Sequence, residues 1–502
     1  MKKRSVKICA AVCVTALVLQ SGIITCFSES SEGTSSNAAA DSSMSVYSAG
    51  GKVSSLNDTL DNSSKKTIYS IDDYEDNEIA VMYKDGSVAC INCADKEELA
   101  EKLEELESDE NVETYQPNFS YDKSDSATAE ASSISGPVFY GAMGDSSRIS
   151  NIIQHYSSAN ISSSHPVSPQ DQYYTYQWGL NNNGTFGSYS ENLYSTADVD
   201  VNAPEAWSKY KAKRDVTVAV VDTGADIYNS EISSSIWVNS DEYLNNGIDD
   251  DGNGYVDDYY GWNFYDNNND IYSGSEDDHG THCVGSIAAA SNSTGVTGLA
   301  SYDNIKVMPV KALGGANGMG TTLTVVKAIK YAEANGAKIC NLSLGTELND
   351  SLLYQTIKDS DMLFVVAAGN SESSSQSGWN IDYRPVYPAA YDLDNIIAVS
   401  NATPDGSLHY TSCYGSASVD LSAPGTDILG LVSGGQLEYM TGTSMAAPFV
   451  TAGAAMVYTN SYSLSLKETR YILIHSAKSL PNTASKTASG GMLDLSAALD
   501  WK

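Results

Sequence analysis

Residues 442–448 read Gly-Thr-Ser-Met-Ala-Ala-Pro and contain the most informative serine of the chain. The small residues that follow Ser444 predict the start of a tightly packed helix. Backbone amides at a helix N-terminus are unpaired and carry positive partial charge. A hydroxyl at this point, with a base in reach, is well placed to attack a carbonyl and to hold the resulting oxyanion. Taken alone, however, a serine at a helix start is usually an N-cap.

Two earlier segments supply the partners that such a serine needs. Asp222 follows the apolar run 216–221, and a carboxylate there can orient an imidazole and stabilise its charged form. His279 opens the small-residue run 279–290, which predicts a helix packed close to a sheet. Each has an ordinary alternative, because Asp-Thr-Gly after a strand is usually a turn and His279 with His282 could cap a helix or bind a metal. The lack of an acidic ligand on the His-x-x-His face disfavours the metal.

An asparagine supplies a fourth component. Asn370 ends the run 365–370, Val-Val-Ala-Ala-Gly-Asn, just past a predicted strand. Its side-chain amide can donate to a developing oxyanion together with the backbone N–H of Ser444. The alternative is a turn asparagine, the default for a Gly-Asn pair. The four residues together favour a nucleophilic serine with base, orienting acid and oxyanion donor.

Net charge excludes some partners. The chain of 502 residues carries 28 basic and 63 acidic side chains, for a net charge of -35. Phosphate binding requires a basic face, so this balance argues against nucleic acid and against an anionic membrane surface. The many carboxylates could instead hold calcium.

The N-terminus has the layout of a secretory signal peptide over residues 1–27, with a basic start and an apolar stretch from Ile8 to about Thr25. An uncleaved anchor or a lipid on Cys26 are the alternatives. No second stretch approaches the length of a membrane span. We therefore expect a secreted protein with no stable membrane insertion after signal cleavage.

Composition divides the rest into four parts. Residues 28–67 predict a disordered leader, 68–121 a small α+β unit, and 122–170 a Ser/Ala-rich linker. Residues 171–502 alternate apolar strands with helices, the clearest helix being 321–334. This pattern predicts an α/β fold, a parallel sheet covered by helices on both faces. The predicted strands are 216–221, 305–310, 338–342, 363–368 and 396–399.

These motifs resemble those of the subtilisin-like serine proteases, or subtilases (peptidase family S8), over about residues 173–501. Subtilases have their triad in the order acid, base, serine, and an asparagine side chain donates to the oxyanion. The resemblance implies a triad of Asp222, His279 and Ser444, with Asn370 in the oxyanion hole. The matching motifs are 220–224, 279–285, 341–345, 367–370 and 442–448.

The resemblance also implies how a polypeptide substrate is held. Family members bind it as an extra strand between two backbone segments, which gives affinity with little sequence demand. The chain departs from the family at Thr346, where a second glycine is usual. The corresponding segments here are Gly318-Met319-Gly320 and Ser343-Leu344-Gly345, and the primary pocket would be lined by Ala367, Ala368 and Gly369.

Residues 68–121 resemble the family's ferredoxin-like inhibitory propeptide, most clearly at the end, 112–121. This implies that the chain's own N-terminal unit is an intramolecular inhibitor, removed by self-cleavage. Because the linker is long, the maturation site is expected anywhere within 122–170.

Residues 249–258 place oxygen-bearing side chains at alternating positions around glycines, like the front half of an EF-hand loop. The twelfth position is Tyr260 rather than Glu, so Asp257 or Asp258 would close the shell. The alternative is a solvated acidic loop. The predicted ligands are Asp249, Asp251, Asn253, the Tyr255 carbonyl, Asp257 and Asp258.

A second calcium site rests on the likeness of residues 291–298 to a calcium loop of the family. Its expected ligands are Asn292, the carbonyls of Thr294 and Val296, and Glu231.

The cysteines are sparse and do not predict a disulfide framework. Cys283, four residues after His279, is either near the active site or a small buried hydrophobe.

The sequence thus predicts a secreted, calcium-stabilised serine endopeptidase made as a self-processing zymogen. One alternative is a processing protease with narrow specificity for a particular peptide. Another is an inactive binding protein on the same fold, which the intact set of four residues disfavours.

Overall fold

The structure is a computed structural model that describes residues 69, 74, 77–123, 169–187, 194–371 and 376–501. The predicted signal peptide (1–27), the leader (28–67) and nearly all of the linker (122–170) lie outside the described residues. The boundaries of those three segments therefore stay predictions.

Sixteen strands occur in the described residues. In chain order they are β1 (Glu78–Tyr83), β2 (Val88–Asn92), β3 (Val112–Pro117), β4 (Ser120–Lys123), β5 (Val216–Asp222), β6 (Ile305–Lys311), β7 (Met319–Thr321), β8 (Ile339–Leu342), β9 (Leu344–Gly345), β10 (Leu363–Ala367), β11 (Ile396–Ala402), β12 (Leu421–Pro424), β13 (Ile428–Val432), β14 (Gln436–Met440), β15 (Lys478–Ser479) and β16 (Gly491–Met492).

Eight α-helices accompany them in the same part of the chain. They are α1 (Lys96–Ser108), α2 (Ala203–Lys209), α3 (Asp278–Ala288), α4 (Thr322–Ala334), α5 (Ser351–Asp359), α6 (Thr443–Thr459), α7 (Leu466–His475) and α8 (Leu495–Leu499).

The central sheet has eight strands in the order β15-β16-β12-β11-β10-β8-β5-β6. All its neighbouring pairs are parallel except β15 with β16. Side chains alternate between two apolar layers: Val218 and Val220 belong to the layer that contains α3 and α6, and Ala219 and Val221 to the layer that contains α4 and α5. The predicted α/β fold with helices on both faces is confirmed. The carboxyl ends of the strands, where ligands bind in such sheets, hold the site described below.

The N-terminal unit has a three-stranded antiparallel sheet, β2-β1-β3, and one helix in its described residues. Leu99 and Leu106 of α1 are buried against Ile79 and Val81 of β1. This unit lies on α4 and α5. The Phe119 N–H donates to Thr322 Oγ1 at the start of α4, and Gln116 of β3 accepts hydrogen bonds at the start of α5. None of the helices in the described part of the chain has both the length and the apolar character needed to cross a bilayer.

Candidate active site

The predicted acid and base lie together at the end of β5. Asp222 is the last residue of this strand, and His279 stands in the first turn of α3. The His279 Nδ1 atom lies 2.6 Å from Asp222 Oδ1, and both side chains are buried. The backbone N–H of Thr223 donates to the same oxygen at 2.7 Å. With Nδ1 held by the carboxylate, Nε2 is the ring nitrogen that can accept a proton from a nucleophile.

Two glycines let α3 approach this strand end. A Cβ atom on Gly280 would lie 2.0 Å from the carbonyl oxygen of Gly224, so no larger residue fits after His279. Gly224 has a φ of 108°, a conformation that disfavours other residues. The short contact between helix and turn is what brings the imidazole to Asp222.

Ser444 is the second residue of α6 and is fully buried. The N-cap of this helix is Gly442, with no side-chain cap hydrogen bond, so the interpretation of Ser444 as an N-cap serine is wrong. Its Oγ donates to the carbonyl of Ser343 at 3.3 Å. Because N–H groups in the first turn of a helix have no acceptor within the helix, the Ser444 amide is placed to hold negative charge.

A proline in α6 ties this helix to its neighbours. Pro448 has no N–H, so the carbonyl of Ser444, four residues earlier, lacks its helical donor. Ser343 Oγ donates to that carbonyl at 2.9 Å, and Cys283 Sγ lies 3.7 Å from it. Cys283 is fully buried one turn after His279 in α3. The nucleophile and the base are therefore held on two helices that touch at this carbonyl.

Asn370 also reaches the start of α6. Its Nδ2 donates to Thr443 Oγ1 at 3.2 Å, and its Oδ1 accepts from the Thr443 N–H at 3.1 Å. The residue before it, Gly369, has a φ of 95°. This turn sets the amide beside the backbone of Thr443, the residue before Ser444, where it can donate to an oxyanion. The four predicted catalytic residues thus converge on one end of the sheet.

The two predicted substrate segments form a cleft that already holds a strand. Met319 and Gly320 belong to β7, Leu344 and Gly345 form β9, and Gly318 precedes β7. The tail strand β4 lies antiparallel between them. Its register pairs Ser120 with Thr321, Tyr121 with Gly320, Asp122 with Met319 and Gly345, and Lys123 with Leu344.

The predicted primary pocket begins at the end of β10, where Ala367 and Ala368 are buried. Cβ atoms on Gly369 and Gly345 would lie 3.0 and 3.3 Å from Val386 Cγ1. Val386 therefore lies close to both Gly369 and Gly345, a position that no sequence motif indicated.

The predicted calcium loop brings carboxylates together, with one ligand that sequence reasoning missed. Oxygens of Asp249, Asp251 and Glu242 lie within 4.8 Å of one another. Glu242 is buried, and its Oε2 has no hydrogen-bond partner among the described residues. A buried carboxylate oxygen without a donor fits a cation, as do the hard oxygen ligands around it.

The other predicted ligands of this loop lie as follows. Asp258 and Asp251 both accept from Asn253 Nδ2 at 3.0 Å, which keeps these three side chains together. Asp257 instead accepts from the backbone N–H groups of residues 246 and 247. The ring of Tyr255 packs on Trp262, at 5.1 Å between ring centres.

At the second predicted calcium site, Glu231 and Asn292 are adjacent. Thr294 Oγ1 donates to Glu231 Oε1 at 2.6 Å, and the Glu231 Oε2 atom has no partner in the described residues. Burial raises the pKa of Glu231. Asp171, which the sequence did not single out, accepts from the N–H groups of Asn292 and Ser293 at 2.7 and 2.8 Å.

Residues 213–491, more than half of the chain, match the subtilase family (Peptidase_S8). The chain belongs to the subtilase family. This subtilase is 31% identical over 312 residues to the thermophilic serine proteinase of Bacillus sp. (strain AK1), which covers 61% of this chain and 64% of that protein. Its identity to the major intracellular serine protease of Bacillus subtilis (strain 168) is also 31%, over 59% of this chain and 86% of that one.

Two further comparisons differ in coverage. The cell wall-associated protease of Bacillus subtilis (strain 168) is 31% identical over 60% of this subtilase, which spans 30% of the relative's length. A solved protease structure from Pseudoalteromonas arctica PAMC 21717 is 26% identical, with a TM-score of 0.49 over 66% of this chain and 98% of that chain.

Proposed function

We propose that this subtilase is a secreted serine endopeptidase that hydrolyses polypeptides through an acyl-enzyme. The observation that carries the proposal is the convergence of the buried Asp222–His279 pair with Ser444 and Asn370 at one sheet end. Family membership and the names of its relatives support serine endopeptidase activity.

The proposed reaction follows from these positions. His279 Nε2 takes the proton of Ser444 Oγ as the oxygen attacks a peptide carbonyl, while Asp222 stabilises the imidazolium. The Asn370 amide and the Ser444 N–H hold the oxyanion. His279 then gives the proton to the leaving amine, and water, activated in the same way, releases the acyl group.

We propose that substrates bind as a strand between β7 and β9, as β4 does. The same contact supports a zymogen, because a substrate cannot pair with both edges while the tail occupies them. Antiparallel pairing that runs from Gly320 to Leu344 leads the chain toward Ser343, whose carbonyl contacts Ser444 Oγ. We therefore expect the first self-cleavage close after Lys123, at the start of the predicted linker.

We further propose that calcium binds at Glu242, Asp249 and Asp251, and at Glu231, Asn292 and Asp171. Each group includes a buried carboxylate oxygen that lacks a donor among the described residues. The ions would stabilise the fold and take no part in the reaction. Export rests on the predicted signal peptide, and the names of the relatives cover both intracellular and cell-wall proteases.

The experiment that tests the activity compares the full chain with two serine variants. Ser444→Ala should remain at full length and should not react with a fluorophosphonate probe, whereas the wild type should process itself and label with the probe. Ser465→Ala is the matched control, because Ser465 is an N-cap serine at the start of α7. It should lose about 1 kcal/mol of stability and keep activity.

Two outcomes would count against the proposal. A wild-type protein that neither processes itself nor reacts with the probe would favour a binding protein on this fold. Continued processing of purified Ser444→Ala would assign the cut to another protease. N-terminal sequencing of the product locates the cut, and a peptide library separates broad from narrow specificity.

A further inference from the structure

We call residues 171–502, which contain the candidate active site, the catalytic unit. The tail strand β4 places one tyrosine in a closed pocket of this unit. The Tyr121 side chain is 1% exposed, and its hydroxyl donates to Asp350 Oδ2 at 2.7 Å. Its ring belongs to the apolar cluster that includes Leu344 and Tyr391. We call the space that it fills the Tyr121 pocket.

Asp350 is the polar floor of the Tyr121 pocket and has no solvent exposure. It is the N-cap of α5, where Oδ1 accepts from the Leu353 N–H at 2.8 Å. Its Oδ2 accepts from Thr322 Oγ1 at 2.6 Å and from the Tyr121 hydroxyl. Burial raises the pKa of this carboxyl, and the hydrogen bonds from Thr322, Leu353, Tyr121 and Gln116 oppose that rise.

Of these four donors, Thr322 and Leu353 belong to the catalytic unit and remain when the N-terminal unit leaves, whereas Gln116 and Tyr121 leave with it. The position of the Tyr121 hydroxyl on Oδ2 is then filled by whichever peptide lies in the cleft. A peptide side chain without a donor would bury Oδ2 with Thr322 as its one partner there, and losing one partner of a buried charged group is costly. A site built around a substrate hydroxyl rejects the analogue that lacks it.

The register defines which substrate residue enters the pocket. Tyr121 pairs with Gly320, and Lys123 pairs with Leu344. A peptide that continued by one residue in the same antiparallel register would place that residue opposite Ser343, whose carbonyl accepts from Ser444 Oγ at 3.3 Å. The carbonyl of that peptide residue would then meet the nucleophile. Counting back from the cleaved bond, the residue in the Tyr121 pocket is the fourth.

We propose that Asp350 is a specificity-determining residue, which selects polypeptides with tyrosine rather than phenylalanine at the fourth residue before the cleaved bond. This inference rests on the proposed endopeptidase function and names its substrate class. Serine is the informative replacement, because a serine N-cap still accepts from the Leu353 N–H but has no second oxygen for the pocket. Asp494→Ser is the matched control, since Asp494 caps α8 in the same way, through the N–H of Ala497.

The test measures kcat/KM on two peptides that differ in Tyr or Phe at this one position. Mature wild-type enzyme should prefer the Tyr peptide about tenfold or more, the range expected for a hydrogen bond to a charged group. Asp350→Ser should cleave both peptides at similar rates, and Asp494→Ser should keep the preference. Equal rates on both peptides in the wild type, or enrichment of Lys or Arg at this position in a library, would overturn the pocket proposal alone.

A second measurement needs no catalysis. In the unprocessed Ser444→Ala chain, Tyr121→Phe, Asp350→Ser and the double variant form a thermodynamic cycle measured by thermal unfolding. We expect the double variant to lose less stability than the sum of the two single losses, because they remove the same hydrogen bond. Additive losses would overturn the inference even if the protein had no protease activity, whereas failure of probe labelling would overturn the proposed function.

Discussion

Asp222 and Asp350 are both carboxylates without solvent exposure, and each holds one functional side chain. Asp222 ends a buried strand and holds His279, 57 residues later in the chain. Asp350 precedes a helix and holds Tyr121, 229 residues earlier and in the other unit. The first contact lies inside the catalytic unit, and the second joins that unit to a strand that a substrate would replace.

The difference explains why one site can be read from the sequence and the other cannot. The position of Asp222 follows from features that the sequence shows. An apolar strand precedes it, and glycines allow the turn after it to pack closely against α3. The environment of Asp350 combines α4, α5 and the tail strand, which meet through tertiary packing alone. We therefore expect changes at Asp222 to slow the chemistry on every substrate, and changes at Asp350 to alter the choice among substrates.

The largest effect is expected from Asp222→Asn. The amide should favour the wrong tautomer of His279, and kcat should fall about 10⁴-fold on all peptides, as in other serine proteases with this change. Kinetics on the Tyr and Phe peptides, together with the thermal unfolding midpoint, would measure this. Asp226→Asn is the control, since Asp226 is buried four residues further on and contacts the N–H of Gly434 instead. A loss confined to one peptide would mean that Asp222 affects the choice of substrate rather than the chemistry.

Asn370→Ala should have the next largest effect. Removal of one oxyanion donor should lower kcat by about 10²–10³-fold with little change in KM, because the donor acts in the transition state. Asn304→Ala is the matched control, since the Asn304 amide donates to the Arg214 carbonyl, remote from the cleft. An Asn370→Ala enzyme with unchanged kcat would mean that the amides at the start of α6 hold the oxyanion by themselves.

The sequence predicted the fold where strands are continuous apolar runs. The run 216–221 is β5 (Val216–Asp222), and the helix predicted over 321–334 is α4 (Thr322–Ala334). The hairpin of β13 and β14 was not predicted, although the apolar run Ile428–Val432 and the Gly434-Gly435 pair after it are signals that could have found it. The interpretation of Ser444 as an N-cap failed because glycine caps α6.

The residues around the candidate ligands were harder to predict for the same reason as Asp350. Glu242 and Asp171 stand in loops without a motif of their own, and they reach their neighbours through folding. The motif of residues 249–258 identified where acids cluster, but not that Asp257 contacts the 246–247 backbone. A motif therefore indicates a region, and the directions of the side chains depend on the tertiary contacts.

Glu242 is a third buried carboxylate, and it lies in the predicted calcium loop region. Asp222 Oδ2 and Glu242 Oε2 both lack a hydrogen-bond partner in the described residues. Glu242 differs in that oxygens of Asp249 and Asp251 lie within 4.8 Å of it, and this set of hard oxygen ligands predicts a cation. Calcium at a hundred times its Kd would add about 2.7 kcal/mol, so chelation should lower the unfolding temperature by several degrees. Glu242→Gln should reduce the shift caused by chelator, whereas the exposed Glu205→Gln should not. Unfolding curves that coincide with and without chelator would exclude both proposed ions.

The smallest expected effect is on the rate at which the cut tail leaves the cleft, and it tests the role of Asp350 directly. Tyr121→Phe removes the hydroxyl that Asp350 accepts but keeps the ring, so the cut tail should leave the cleft about tenfold faster. The lag before activity appears in a maturation assay measures this release. Tyr115→Phe is the control, because Tyr115 is buried in the core of the N-terminal unit itself.

In an Asp350→Ser background the lag should no longer depend on residue 121, since the acceptor is gone. A lag that shortens equally in both backgrounds would mean that Tyr121 acts through its ring packing, and that Asp350 serves α5 alone.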